Sequence, residues 1–181
     1  MPSANLRNLL VRLVARGLRP APESSFGRPP RRVLLLRPDH IGDVLLTSPA
    51  IALLRASLPE AELTYLVGPW SAEVAGRSVV VDRVETLTFP GFTRRRKKHA
   101  LEPYLLLVRE ALRLRRARYD LAVVFRADYW WGALLALVAG IPVRAGGRTS
   151  ETEPLLTHAA VLTPTEHAVE QALGIANVAL D

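Results

Sequence analysis

The chain contains no cysteine, which excludes a disulfide framework and a thiolate metal site and makes a reducing compartment the simpler expectation. No apolar run approaches the roughly 20 residues that a membrane span requires; the longest candidate, 133–139, is far shorter. No G-x-G-x-x-G follows a candidate strand, and no G-x-x-x-x-G-K-[ST] occurs anywhere. The usual dinucleotide fingerprint and the P-loop are therefore both absent. Negative charge is also scarce: 24 Lys and Arg stand against 17 Asp and Glu, a formal net charge of +7. That balance favours an anionic partner, whether nucleic acid, an acidic membrane surface or a phosphorylated substrate. Apolar residues make up 49% of the 181 and charged residues 23%, enough for a core and near the globular average. The length suits one domain, or one half of a larger enzyme.

The most informative stretch is 32–47, RVLLLRPDHIGDVLLT. Its apolar run, Val33 to Leu36, stops at Arg37-Pro38, as a buried parallel strand does. Upstream, Leu6, Leu9, Leu10, Leu13 and Leu18 recur at helical spacing among Arg7, Arg12, Arg16 and Arg19, which predicts a basic amphipathic helix over 1–20. Residues 21–30 have linker composition. Downstream, the pattern predicts strands at 32–37, 62–67, 83–88, 120–125, 142–146 and 158–162. Helices are predicted at about 44–57, 70–77, 101–117, 129–139 and 165–173. Helix 101–117 carries Leu101, Leu105, Val108, Leu112 and Arg115 on one side. Pro49 either kinks the first helix or follows a Ser48 cap, leaving 39–47 irregular. Alternating strands and helices imply an α/β, Rossmann-like parallel sheet with helices on both faces, over residues 31–181.

In open α/β sheets ligands bind beyond the carboxyl ends of the strands, which is where Asp39, His40, Gly42 and Asp43 fall. Asp43 has two readings: a general base toward a substrate hydroxyl, or a helix N-cap. Gly42 suits a close backbone approach or a positive φ. His40 is a candidate donor or supporting partner. The tetrapeptide HIGD is not the HIGH signature of nucleotidyl-transferring synthetases, because Asp43 replaces the second histidine and no KMSKS-like loop occurs. Arg94, Arg95, Arg96, Lys97 and Lys98 form a cationic loop that repels itself unless an anion occupies it. Arg126, Asp128, Tyr129, Trp130 and Trp131 follow the fourth strand, as a sugar-stacking platform or as core. His167 and Glu170 are spaced for a metal, although capping is the expected use.

Together these residues resemble the amino-terminal half of glycosyltransferase family 9, the lipopolysaccharide heptosyltransferases. The similarity covers about 31–175 and rests on RVLLLRPDHIGDVLLTSPAIALLRASLPEAELTYLV, the loop RRRKK, the strand YDLAVVF and HAVE at 167–170, where Gln171 replaces the family's arginine. The resemblance implies one half of a GT-B architecture and inverting, metal-independent transfer of a heptose or hexose from a nucleotide-sugar, ADP-heptose-like, to a phosphorylated glycan. It implies that Asp43 is the catalytic base and that Arg94 to Lys98 contact acceptor phosphates, with His40, Gly42, Arg126 and Asp128 as further candidates for acceptor binding. No bound cofactor is expected. The chain ends near the family's interdomain connection, so the donor domain is expected to be missing and the chain alone to transfer little. Residues 1–20 suggest contact with an acidic membrane face, and the inner face of the bacterial plasma membrane is the expected location. The alternative is a basic α/β binding module for nucleic acid or another anionic ligand, without catalysis. Its cations sit in one loop and the terminal helix instead of along a face, which argues against it.

Overall fold

The computed structural model describes residues 29–92, 101–163 and 165–181. The predicted helix 1–20, nearly all of the linker 21–30, and the cations Arg94 to Lys98 lie outside the described residues.

The chain order is β1 (Arg32–Arg37), α1 (Ile41–Leu46), α2 (Ser48–Ser57), β2 (Glu62–Val67), α3 (Ala72–Gly76), β3 (Arg83–Thr86), α4 (Glu102–Ala117), β4 (Leu121–Val124), α5 (Trp130–Val138), β5 (Val143–Gly147), β6 (His158–Ala160) and α6 (Ala168–Leu180). All strand pairs are parallel, and the sheet order is β3-β2-β1-β4-β5-β6. This is the order of the doubly wound dinucleotide-binding fold, formed here without its glycine fingerprint. From β1 the chain steps outward to β3, then crosses back to β4 beside β1. The winding therefore reverses between β1 and β4.

The apolar run of β1 is explained by burial on both faces. Val33 and Leu35 pack with α1, α2 and α6, while Leu34 and Leu36 pack with α4 and α5. All four are fully buried, each stabilising the fold by about 1.5–3 kcal/mol. In register, Val33 stands opposite Leu63 and Leu121, and Leu36 opposite Leu66 and Val124. Arg37, the next residue, points to the α1 side.

Two of the expected helices change in their bounds. The helix expected at 44–57 is two helices, breaking at Thr47. Thr47 donates its hydroxyl to the Asp43 carbonyl at 2.7 Å, and Pro49, which has no N–H to give, sits in the first turn of α2. Residues 41–46 are therefore helical instead of irregular, and Ser48 is inside α2 instead of capping it. The last helix runs from Ala168 to Leu180 instead of 165–173, with its start fixed by a capping box. Val169 N–H donates to His167 Nδ1, and His167 N–H donates to the Glu170 carboxylate. That capping is the observed use of His167 and Glu170.

The buried face of α4 is not the one its leucine spacing marks. The side bearing Leu101, Leu105, Val108 and Leu112 faces outward. The buried side is Leu107, Glu110, Ala111 and Leu114. Two apolar stripes compete on this helix, and the inward one carries Glu110. Its carboxylate accepts from Arg109 at 2.8 Å and Arg113 at 2.7 Å, and Arg113 also pairs with Glu85 at the end of the sheet. Burial alone would raise the Glu110 pKa, but the bonds from Arg113 and Arg109 hold it below its ordinary value.

Gly147 ends β5 where the turn after β4 packs closest. A Cβ there would lie 2.5 Å from the Cβ of Ala127 and 2.7 Å from its Cα. Gly147→Ala is expected to lower the unfolding free energy by about 1–3 kcal/mol, read as a lower urea midpoint with unchanged slope.

Candidate functional site

The reversal of winding opens the carboxyl edge between β1 and β4, and the segments after both strands meet there. Arg37 closes β1 with its side chain only 9% exposed. Its Nη1 donates to the Phe125 carbonyl at 2.6 Å, which ties it to the end of β4. Its Nη2 donates to Asp43 Oδ1 at 3.3 Å. Its Nε lies 3.0 Å from Asp39 Oδ2, an ion pair out of hydrogen-bond alignment. Asp39 in turn accepts from Arg126 Nη1, and Arg126 Nε pairs with Asp128 Oδ1 at 2.8 Å. The guanidinium of Arg126 lies over the Phe92 ring, 5.2 Å from its centroid. Burial alone would lower the pKa of Arg126; Asp39 and then Asp128 more than offset this and raise it.

A chain of alternating charge therefore crosses the switch point: Asp43, Arg37, Asp39, Arg126, Asp128. Three carboxylates face two guanidiniums. Asp39 is the buried centre, with its side chain 4% exposed, and its carbonyl accepts from Trp70 Nε1 at 2.8 Å and Ser71 Oγ at 3.1 Å. Asp43 is the open end, 44% exposed. It sits in the first turn of α1 and is not the N-cap, which is His40. Only one oxygen of its carboxylate faces Arg37.

The remaining expectations divide. His40 is exposed and stands 5.8 Å from the Trp70 ring at a tilt of 48°. Gly42 does not adopt a positive φ. A Cβ at that position would meet nothing within 4 Å, so nothing in the chain itself requires a glycine there. Of the tandem aromatics, Trp131 is core and donates to the Pro103 carbonyl at 3.2 Å. Tyr129 is also buried, which pushes its hydroxyl pKa upward. Among the described residues no group of three or more His, Cys, Asp and Glu is placed to hold a metal ion. A cavity of about 360 Å³ lined by Pro29, Leu58 and Leu180 lies at the opposite, amino edge of the sheet.

Arg37 and Trp70 were missed from the sequence. The signal for Arg37 was a lone arginine closing a run too apolar to stop at a solvated edge. Trp70 carried none, because its role depends on β2 lying beside β1.

The chain matches no family model and no curated protein sequence. It does match solved structures. The ADP-heptose lipopolysaccharide heptosyltransferase II of E. coli superposes with a TM-score of 0.64 at 25% identity, over 80% of this chain and 40% of that one. This chain shares the fold of the matched part of that enzyme. A family 9 glycosyltransferase from Veillonella parvula superposes with a TM-score of 0.67 at 20% identity, over 82% of this chain and 40% of that one. The E. coli heptosyltransferase WaaC, solved with ADP, gives 0.61 at 20% identity over 82% and 46%. The chain thus spans less than half the length of the heptosyltransferases it matches. The likeness is one of fold, a six-stranded parallel sheet with helices.

Proposed function

We propose that this chain forms the acceptor-binding part of an inverting, metal-independent glycosyltransferase, with Asp43 as the base. The observation that carries the reading is the half-exposed Asp43 carboxylate at the mouth of the switch point, braced on one side by a buried arginine. Transfer requires the acceptor hydroxyl to lose its proton as it attacks the anomeric carbon. The sugar carbon passes through an oxocarbenium-like state, and the nucleoside diphosphate leaves from the opposite face. A base must then stand on the acceptor side of the cleft, within hydrogen-bond reach of that hydroxyl. Asp43 meets the requirement of position: Arg37 holds one oxygen, and the other is left for a substrate. Holding the base fixed removes orientation entropy from the reaction step.

The donor, an ADP-heptose-like nucleotide-sugar, would be held by a second domain facing this edge, in the same chain or another. The acceptor is a phosphorylated glycan, and the cations Arg94 to Lys98 supply its anion contacts. His40, which precedes the helix bearing Asp43, and the pair Arg126–Asp128, linked to Asp43 through Asp39 and Arg37, are the further acceptor contacts in this reading. Work of this kind fits the inner face of the bacterial plasma membrane. The structural neighbours support the reading because two of them are named as heptosyltransferases.

Gly42 provides the test. The open space above it is room for a substrate, since none of the described residues fills it. In titrations with a phosphorylated heptose-containing oligosaccharide followed by amide chemical shifts, the wild-type signals of His40 to Asp43 should move. Gly42→Ala should weaken that binding by about tenfold, or ~1.4 kcal/mol. The same variant should keep or slightly raise thermal stability, because alanine is the better helix former by up to about 1 kcal/mol. Shifts confined to other regions, or unchanged binding in the variant, would contradict the assignment.

A further inference from the structure

We propose that the outward face of α4 docks this protein on an anionic lipid surface. Leu101, Tyr104, Leu105, Val108 and Leu112 form one exposed stripe along this helix, with Leu105 70% exposed and Leu112 54%. The spacing of 101, 105, 108 and 112 keeps them on a single face. An apolar strip of this length on an otherwise charged surface marks an interaction site.

Charge decides the occupant. Arg109, Arg115 and Arg116 are exposed on the same helix, and the run Arg94 to Lys98 precedes it in sequence. The two carboxylates of α4 are Glu102 and Glu110, and Glu110 is turned inward. A leucine stripe flanked by arginines is the composition of a helix that lies in the lipid interface, with its apolar side chains among acyl chains and its cations at anionic headgroups. A second copy would bring the same cations against themselves. The segment 1–20, with four arginines in its sequence, is cationic too and would meet the same repulsion.

The position of α4 adds a functional consequence. Following β3, it starts at the carboxyl edge of the sheet, the edge that holds Asp43, and runs back toward the amino edge before β4. A membrane lying along the stripe would stand beside the mouth of the switch point, within reach of an acceptor anchored in lipid.

The experiment is co-sedimentation of the whole chain with sucrose-loaded vesicles, either phosphatidylcholine alone or phosphatidylcholine with phosphatidylglycerol. The wild type should pellet with the anionic vesicles and much less with the neutral ones, and added salt should weaken the binding. Leu105→Gln with Leu112→Gln should weaken anionic-vesicle binding by about tenfold or more, with unchanged thermal midpoint. Arg115→Glu with Arg116→Glu should act in the same direction and guards against a folding artefact in the first pair. Vesicle binding that survives both double variants overturns the proposal, as does a wild type that ignores anionic vesicles. It is also overturned if the leucine variant dissociates a dimer without changing vesicle binding, or if removing residues 1–28 alone abolishes binding. No donor or acceptor is present, so the outcome is independent of the role of Asp43.

Discussion

Asp43→Asn is expected to cut sugar transfer by about 10²- to 10⁴-fold, the usual contribution of a positioned base, when assayed with a donor domain present. Asparagine keeps the size and the single contact to Arg37, because its side-chain oxygen can still accept from Nη2. What it loses is the ability to take a proton. The loss should therefore fall on kcat, with the acceptor KM little changed, since an interaction made only as the hydroxyl proton departs does not contribute to ground-state binding. Stability should hardly move. Asp43 is 44% exposed, and its pairing with Arg37 at 3.3 Å is an ion pair of the partly solvated kind worth about 0–1 kcal/mol. The measurement is initial rates over an acceptor series, alongside a thermal melt. A variant with wild-type kcat would remove Asp43 from the reaction. Equal losses in kcat and stability would reduce it to a structural residue.

Much of the fold was legible because its signals are local. The run Val33 to Leu36 could be buried on both sides only in a parallel sheet, and Leu121 to Val124, equally apolar, becomes its neighbour β4. The turn after β1 was legible as the carboxyl edge of a central strand by the same logic. What local sequence could not reveal was partnership across the switch point. Arg37 bonds a carbonyl 88 residues away, and Asp39 meets Arg126 87 residues away. No spacing rule reaches that far. Helix α4 itself was legible in the sequence; its buried face was not. Both of its stripes are apolar, so periodicity identified a helix but not its buried face; the Glu85–Arg113–Glu110 network, which needs β3 in place, accompanies the other stripe. The break at Thr47 was legible in part: Pro49, with no N–H to give, marked it, whereas the Thr47 hydroxyl bond to the Asp43 carbonyl one turn back did not show in the sequence.

Asp39→Ala is expected to be the most destabilising substitution at the carboxyl edge, by about 3 kcal/mol, the low end of the range for breaking a buried ion pair. Two cations depend on this carboxylate, but not equally. Arg126 is 38% exposed and keeps Asp128 at 2.8 Å, so water and that partner compensate most of its loss. Arg37 is 9% exposed and would retain only the Phe125 carbonyl and the distant oxygen of Asp43. The cost is thus that of one buried guanidinium left under-compensated. For a protein of this size the thermal midpoint should fall by roughly 6–12 °C. Arg37→Met placed on Asp39→Ala should recover part of that loss, because an apolar side chain of similar length has no charge to strand. Asp43→Ala, at the exposed end of the same chain of charges, is the control and should cost no more than about 1 kcal/mol. If Asp39→Ala is as mild as that control, then Asp39 is not what compensates Arg37, and the brace holding the Asp43 carboxylate must be sought elsewhere. A large loss rescued by Arg37→Met would establish the order of dependence: Asp39 neutralises Arg37, and Arg37 holds Asp43.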